Sequence, residues 1–540
     1  STRPADEHGL SLRYVQGIGS FSTYDEFLRA SYGNDRWKAS TRILYSSSDN
    51  DFRYTNYHKT KQPVYDAEGN VVGSRYVEDR NRSADFADFH ILQEAYHNTR
   101  SGHRIGLAAW YMSSHRGIPK ISADYRDDSS TRTRQNENTL RAVVSWEKIS
   151  GSFKAGARAG YTYTDMLYTY SYDLTGTGEQ MREGIHSQSY VNSLFAKADI
   201  EYALSDKWLF TADIALNQHF VQSIDRSVIV QDGSSAVIGY KEARAEVSAY
   251  ASIRYKPTER IGLAACVRDD MYGDSFTPPV PALYVDALLS KRGELTLKGS
   301  VTRNYRYPTL NDLYFMPGGN PDLRPEKGIS YDAGLSTHVR RQRLDFSAAA
   351  TWFDSYIDDW ILWRATPKGF WTPLNIKRVH SYGIELRASL SVTWSQDWSL
   401  KASGLYTVTH AVNHGDPVSV NDASIGKQLP YIPVYSASAT VRLDWRKWSI
   451  VYKWNHYSER HTTSSNDLRI SDSVQPYYMS DLSLERRIAT RPLDLSLRFD
   501  IRNLLDEEYE TVLSHPMPRM NFGFYIGITP KFRNAAAGRY

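Results

Sequence analysis

FKAGARAGYTY, residues 153–163, puts Phe153, Ala155, Ala157, Ala159, Tyr161 and Tyr163 at odd positions. Lys154, Gly156, Arg158, Gly160 and Thr162 take the even ones. Successive side chains of a strand point to opposite faces, so this stretch has one apolar and one polar face. Residues 208–217 repeat the pattern, with Trp208, Phe210, Ala212, Ile214 and Leu216 against Leu209, Thr211, Asp213, Ala215 and Asn217. From 243 to 255, Ala243, Ala245, Val247, Ala249, Ala251, Ile253 and Tyr255 oppose Arg244, Glu246, Ser248, Tyr250, Ser252 and Arg254. No stretch shows a comparable amphipathic helix.

A two-layer sandwich also alternates, so strand length and spacing decide. These strands run ten or more residues, against about 5–6 in ordinary globular sheets. They pair through very short turns, such as Gly33-Asn34-Asp35, Leu204-Ser205-Asp206 and Arg340-Arg341-Gln342. Longer polar stretches separate the pairs, at 46–86, 114–137, 166–188, 222–240, 305–328, 411–430 and 461–475. Short turns at one end and long loops at the other are the organisation of outer-membrane barrels. The fold class is therefore all-β, a transmembrane antiparallel β-barrel of about 22 strands. It has short periplasmic turns and long extracellular loops. The strands run from 8–19 to 520–532, and include 138–148, 151–165, 189–203, 207–221 and 243–256. Closure pairs every backbone group, which lets so polar a chain cross lipid.

Composition narrows the classes further. The 540 residues carry 65 Lys and Arg against 61 Asp and Glu, a net +4, with no long basic run. That disfavours a nucleic-acid partner. Mean hydropathy is −0.54, and no apolar run approaches the ~18 residues of a membrane helix. Tyrosine, at 39 against 18 Phe, suits rings that sit between oil and water, as Trp37, Tyr45 and Trp208 do near strand ends. Cys266 is the single cysteine, so neither a disulfide framework nor a cysteine-built metal cluster exists. No Gly-x-Ser-x-Gly elbow, His-Glu-x-x-His or phosphate loop is present, and no enzyme is expected.

Residues 303–335, RNYRYPTLNDLYFMPGGNPDLRPEKGISYDAGL, break the alternation. Prolines forbid a regular strand, and Gly318-Gly319 permits positive φ, so a rigid irregular loop is expected. This segment resembles the signature of TonB-dependent outer-membrane receptors: Arg306, Pro308, Leu310, Leu313, Tyr314, Asn320, Pro321, Leu323, Pro325, Glu326 and Gly334 fall on its pattern. Two further stretches resemble the same family. NIKRVHSYGIELR carries Asn375, Gly383 and Glu385, and the segment 501–532 carries Asn503, Leu504, Asp506, Tyr509, Pro518 and Phe532. The resemblance covers residues 8–532. It implies an outer-membrane location in a Gram-negative bacterium and import of a scarce, bulky small-molecule nutrient. It also implies energy from TonB through an N-terminal box and plug domain, with outer-membrane lipid around the barrel. Residues 1–7 are then expected to be the end of a linker from that plug, and 533–540 a tail. The loops SDNDFRYTN and HYSERHTTSSND resemble the cobalamin branch. Cobalamin ranks first as ligand and a ferric siderophore second; a passive porin or a surface-binding barrel is the reading from another class.

Tyr54, Tyr57, Tyr168, Tyr170 and Tyr172, placed in surface loops, offer broad rigid faces for a corrin or siderophore. Their plainer role is to stiffen those loops or to dock a surface lipoprotein. Arg306, Pro308, Asn320, Pro321, Leu323, Pro325 and Glu326 are expected to shape a loop without touching ligand. Acidic pairs at Asp49 and Asp51, at Asp127 and Asp128, and at Asp269, Asp270 and Asp274 are oxygen-rich enough for loop calcium, but none has full calcium-loop spacing. No resident cofactor or metal is expected. His410 and His414, four apart, and the cluster His456, Glu459 and His461 sit at strand-to-loop transitions, whereas four-apart spacing gathers metal ligands only on a helix. Haem receptors of the family place a His between the two proline boxes; positions 306–323 have none.

Overall fold

The computed structural model describes residues 8–532, apart from 124–130, 174, 176–179, 230–234, 317, 366–370, 418–419, 421, 468 and 470–471. The linker remnant 1–7, the tail 533–540 and Asp127–Asp128 lie outside the described residues.

The barrel strands are β1 Gly9–Gly19, β2 Thr23–Gly33, β3 Trp37–Ser48, β4 Phe86–Asn98, β5 His103–Gly117 and β6 Thr131–Ser150. They continue as β7 Phe153–Asp173, β8 Met181–Ser205, β9 Trp208–Ile229, β10 Ser235–Thr258, β11 Ile261–Tyr272 and β12 Val280–Ser290. Next come β13 Leu295–Arg306, β14 Glu326–Arg341, β15 Leu344–Ala365, β16 Trp371–Thr393 and β17 Trp398–Asn413. The last five are β18 Tyr435–Trp445, β19 Trp448–Tyr457, β20 Tyr477–Ala489, β21 Leu493–Arg502 and β22 Asn521–Pro530. Each pairs antiparallel with its sequence neighbour, and β1 pairs with β22, Tyr14 opposite Ile528, so the sheet closes. With strands about 4.8 Å apart and tilted by about 40°, such a ring is roughly 40 Å across, backbone to backbone.

The alternation sorts the two faces as the sequence implies. Trp146, Ala157, Ala198, Ile214 and Ala249 form one continuous cross-strand row on the outer face. Inside, like-signed charges are interleaved with their opposites: Lys154 meets Glu147 at 3.6 Å, Arg158 meets Asp199 at 3.6 Å, and Lys197 meets Asp213 at 3.0 Å. Aromatic belts mark both rims. Trp208 stacks on Tyr255 (4.0 Å) and Trp398 on Trp445 (5.6 Å) at the short-turn end. Tyr24 meets Tyr45 (6.3 Å) and His456 stacks on Tyr478 (4.4 Å) at the other. Lipid fills the space between such girdles.

Two sequence expectations change here. Strands β6 to β10 are longer than expected, reaching 25 residues in β8, where about 9–11 cross a membrane. The stretch 166–188 is therefore mostly wall: Met166–Tyr172 pairs with Thr131–Glu137 on one side and with residues of Met181–Ser189 on the other, beyond the segment that crosses the bilayer. Tyr168, Tyr170 and Tyr172 are strand residues, not loop residues. In contrast, 49–85 is a loop that builds its own small sheets, Arg53–Asn56 with Val77–Arg80 and Gln62–Tyr65 with Val71–Arg75.

Candidate functional site

The signature segment folds inward at the long-loop end. Thr309 caps a short helix, α1 (Leu310–Tyr314), in a reciprocal arrangement: its hydroxyl accepts from Asp312 N–H, and the Asp312 carboxylate accepts from Thr309 N–H at 3.0 Å. Leu313 and Leu323 pack on Ile361 with Tyr307 and Tyr314 around them, the one buried hydrophobic cluster the described residues form. The loop leans on the inner wall of the barrel. Arg244 of β10 donates to the Pro308 carbonyl at 2.8 Å, and Tyr307 stacks on Tyr272 of β11 at 4.8 Å.

Every proline-box residue carries a structural duty. Glu326, only 6% exposed, accepts from Arg306 (2.9 Å) and from the Ile361 N–H (2.9 Å). Pro308 is fully buried. Asn320 donates to the Pro373 carbonyl at 3.1 Å, and Pro321, Leu323 and Pro325 carry the chain back to β14. Asn375 closes the far side: its amide donates to the carbonyls of Arg324 (2.8 Å) and Asp359 (2.7 Å), and its oxygen accepts from Arg324 N–H. A Cβ at Gly383 would lie 1.9 Å from the Val408 carbonyl oxygen, so nothing larger fits there. At the end of the chain, fully buried Asn503 sits at φ 53° and donates to the Glu507 carbonyl at 2.7 Å. The three stretches that resemble the receptor family thus each tie a turn to the barrel.

Over the other half of the mouth the long loops interlock. Glu508 accepts from Tyr57 (2.6 Å), Thr55 (2.8 Å) and Arg519 (2.9 Å), tying loop 49–85 to loop 503–520. Asn56 donates to the Ser122 carbonyl, and Ser122 N–H donates to the Ser514 carbonyl, which draws in the loop after β5. Arg460 of loop 458–476 donates to the Thr511 carbonyl at 2.7 Å. Phe21, held at φ 62° in the turn after β1, packs on Phe52 at 5.9 Å and anchors the base of loop 49–85. These contacts shift the loop groups' acidities. The Arg519 guanidinium holds the Asp506 carboxyl below its ordinary range, and the hydrogen bond to Glu508 raises the Tyr57 phenol. Burial pushes Tyr509 up to about 12 and raises the Glu510 carboxyl.

The structure divides the five tyrosines between two places. Tyr54 and Tyr57 stay in the loop after β3, where Tyr54 meets Phe52 (6.5 Å) and Tyr57 meets Tyr76 (4.9 Å). Tyr168, Tyr170 and Tyr172 share the luminal face of Lys154 and Arg158 in the unbroken β6–β7 ladder, with Tyr170 and Tyr172 6.3 Å apart. They line the upper lumen. Among the calcium candidates, Asp51 pairs with Arg80, and consecutive Asp269 and Asp270 face opposite sides of β11. Among the described residues no group of three or more His, Cys, Asp or Glu could hold a metal ion. His410 stacks on Tyr382 (5.1 Å) and His414 lies 5.6 Å from His380, all at the outer rim. Sequence reasoning missed Asp312, which accepts from the Trp363 indole at 2.9 Å, and Glu508, the hub of the loops. An acidic residue three positions after Thr309 is the capping signal that reveals the first; no local signal reveals the second.

A closed 22-stranded barrel with two aromatic girdles, a charged lumen and a mouth half roofed by interlocked loops is a transmembrane receptor barrel of the Gram-negative outer membrane. The family described as TonB dependent receptor-like, beta-barrel, matches residues 13–504, and the chain belongs to that family. A vitamin B12 transporter, BtuB, of Photobacterium profundum is 30% identical over 274 residues, covering 49% of this chain and 39% of that protein. The matched stretch thus spans well under half of that curated relative. The solved copper transporter OprC superposes with a TM-score of 0.71 at 16% identity, over 98% of this chain and 82% of its own. The ferric-catecholate import receptor Fiu of E. coli gives a TM-score of 0.71 at 13% identity, with the same coverages. These two structures share the fold.

Proposed function

We propose that this barrel imports a scarce, bulky nutrient across the outer membrane, with cobalamin as the ligand, a plug domain in the lumen and energy delivered through TonB. The observation that carries the reading is the combination of a barrel roughly 40 Å across, backbone to backbone, with a mouth walled by tall hairpins and half roofed by locked loops. An open pore of that width would leak; a gated one can hold a large ligand before passing it. The inward row Tyr168, Tyr170 and Tyr172 gives flat faces near the mouth, suited to a corrin ring. The sequence relationship to a vitamin B12 transporter favours cobalamin over other ligands. Titration calorimetry of the plug-bearing form with cyanocobalamin, and separately with ferric siderophores, tests the ranking. Saturable binding of cyanocobalamin is expected; binding of a siderophore in its place replaces the ligand, and binding of neither removes the importer reading.

A further inference from the structure

Near the short-turn end of the lumen, β1 and β2 bring four polar side chains into register. Arg13 lies directly opposite Arg29, and Ser11 directly opposite Ser31. All four share the luminal face, because Leu10, Leu12 and Ile18 take the alternate, lipid-facing positions of β1. Arg42 of β3 extends the row beyond Arg29, and Ser40 extends it beyond Ser31. Like charges set directly opposite each other on neighbouring strands repel, so such a row needs counter-charge.

Only one end of the row has it. Arg42 meets the wholly buried Glu94 at 2.9 Å, and Ser40 donates to the same carboxylate at 3.2 Å. Elsewhere on the wall several arginines each meet one carboxylate, Arg158 with Asp199, Arg254 with Asp286, Arg442 with Asp444 and Arg487 with Glu485, while Arg104 and Arg141 lie over the rings of Tyr96 and Trp110. Arg13 and Arg29 have no carboxylate within ion-pair distance among the described residues. The Nε of Arg29 and the Oγ of Ser31 are buried atoms with no hydrogen-bond partner. Both belong to one face of β2, two positions apart. Ser11, Arg13 and Arg29 line a cavity of about 620 Å³, whose other arginines, Arg442, Arg446 and Arg487, are already matched.

The carboxylates of that cavity, Asp444, Glu485 and Asp494, are held by Arg442, Arg487 and Lys531, so two guanidinium forks beside two hydroxyls, with donors unspent, are the complement of an oxyanion. From this juxtaposition we infer that Ser11, Arg13, Arg29 and Ser31 form a seat for a phosphate or carboxylate group at the periplasmic end of the lumen. The inference rests on the barrel geometry and stands whether or not cobalamin is the imported ligand. Arginine binds such groups bidentately, and the serines supply the remaining donors, as Ser40 does for Glu94. Phosphate and carboxylate groups share this chemistry, and separate probes distinguish them.

The test is equilibrium dialysis of the detergent-folded 540-residue chain against inorganic phosphate, citrate and chloride. Saturable binding of phosphate or citrate is expected, weakening with added salt, and about tenfold weaker in the Arg13→Gln/Arg29→Gln double variant. Arg158→Gln, which alters a paired arginine elsewhere on the wall, should leave binding unchanged. Heat-modifiable migration on gels confirms that each variant is folded. Preference for phosphate assigns a phosphate-bearing solute, and preference for citrate a carboxylate. Equal binding by the wild type and the double variant, or no saturable binding by the wild type, overturns the proposal.

Discussion

At Glu326 a nearly buried carboxylate holds two elements together, since its donors come from Arg306 at the end of β13 and from the Ile361 backbone of β15. Removing it orphans a buried N–H, which costs about 1–3 kcal/mol. Glu326→Ala should therefore expose 307–325 to protease, while Glu326→Gln, which still accepts from Ile361, should be milder. Digestion of intact cells followed by mass mapping reads the difference. Asp506 offers a pH test. Its folded-state pKa is depressed, chiefly by the hydrogen bond from Arg519, so its contribution is present above the ordinary 3.8 and disappears as pH falls through the lowered value. Glu510 runs the other way: burial raises it, so its contribution is present below 4.5 and is lost as pH rises through the raised value. Hydrogen exchange in 503–520 should show acid-side loosening in the wild type that is smaller in Arg519→Gln, where the depression is relieved. Loosening of equal size in both would mean that Asp506 does not anchor the loop. At this scale the residues are legible but their partners are not. Asn375 stands out by spacing alone, yet its closure onto Arg324 and Asp359 exists only once β15 and β16 pair.

The strands were most legible where their faces meet different solvents. Between 153 and 163 one side meets lipid and the other water, so the composition alternates sharply. Above the bilayer both faces of β7 are wet, the contrast fades into MLYTYSYD, and the strand reads as a loop although its ladder runs on to Tyr172. That is why the height of β6 to β10 was not visible in advance. The same logic sets two substitution tests. Ala157 and Ala249 lie on the lipid face, so Ala157→Arg or Ala249→Arg should cost roughly 2–4 kcal/mol near the midplane and impair barrel assembly. Arg158→Gln or Arg254→Gln, each losing one half-exposed luminal pair, should cost about 1 kcal/mol or less. Heat-modifiability gels separate the pairs; like behaviour would mean that the faces are misassigned. Tyr168→Ala with Tyr170→Ala should weaken ligand uptake while folding and surface display stay normal, because both rings line the lumen and neither closes the barrel. Loss of surface display instead would make them structural.

As a whole molecule, the barrel closes because β1 and β22 pair, leaving no edge for aggregation or lipid to find. Its strand number and sidedness were legible from turn lengths; its ligand was not, since binding surfaces gather side chains from distant loops such as 49–85 and 503–520. The lumen wall is lined with paired charges, so in planar bilayers the chain alone should conduct strongly, and addition of a plug domain should reduce that conductance. A tight chain would mean that the interlocked loops already seal the mouth. Import itself is tested most directly by labelled cyanocobalamin uptake in cells that lack their own cobalamin importer and display the plug-bearing form of this barrel. Accumulation that requires functional TonB and is competed by unlabelled cobalamin is expected. Uptake no greater than in cells without the barrel, with the barrel shown to be on the surface, would contradict its assignment as a cobalamin importer.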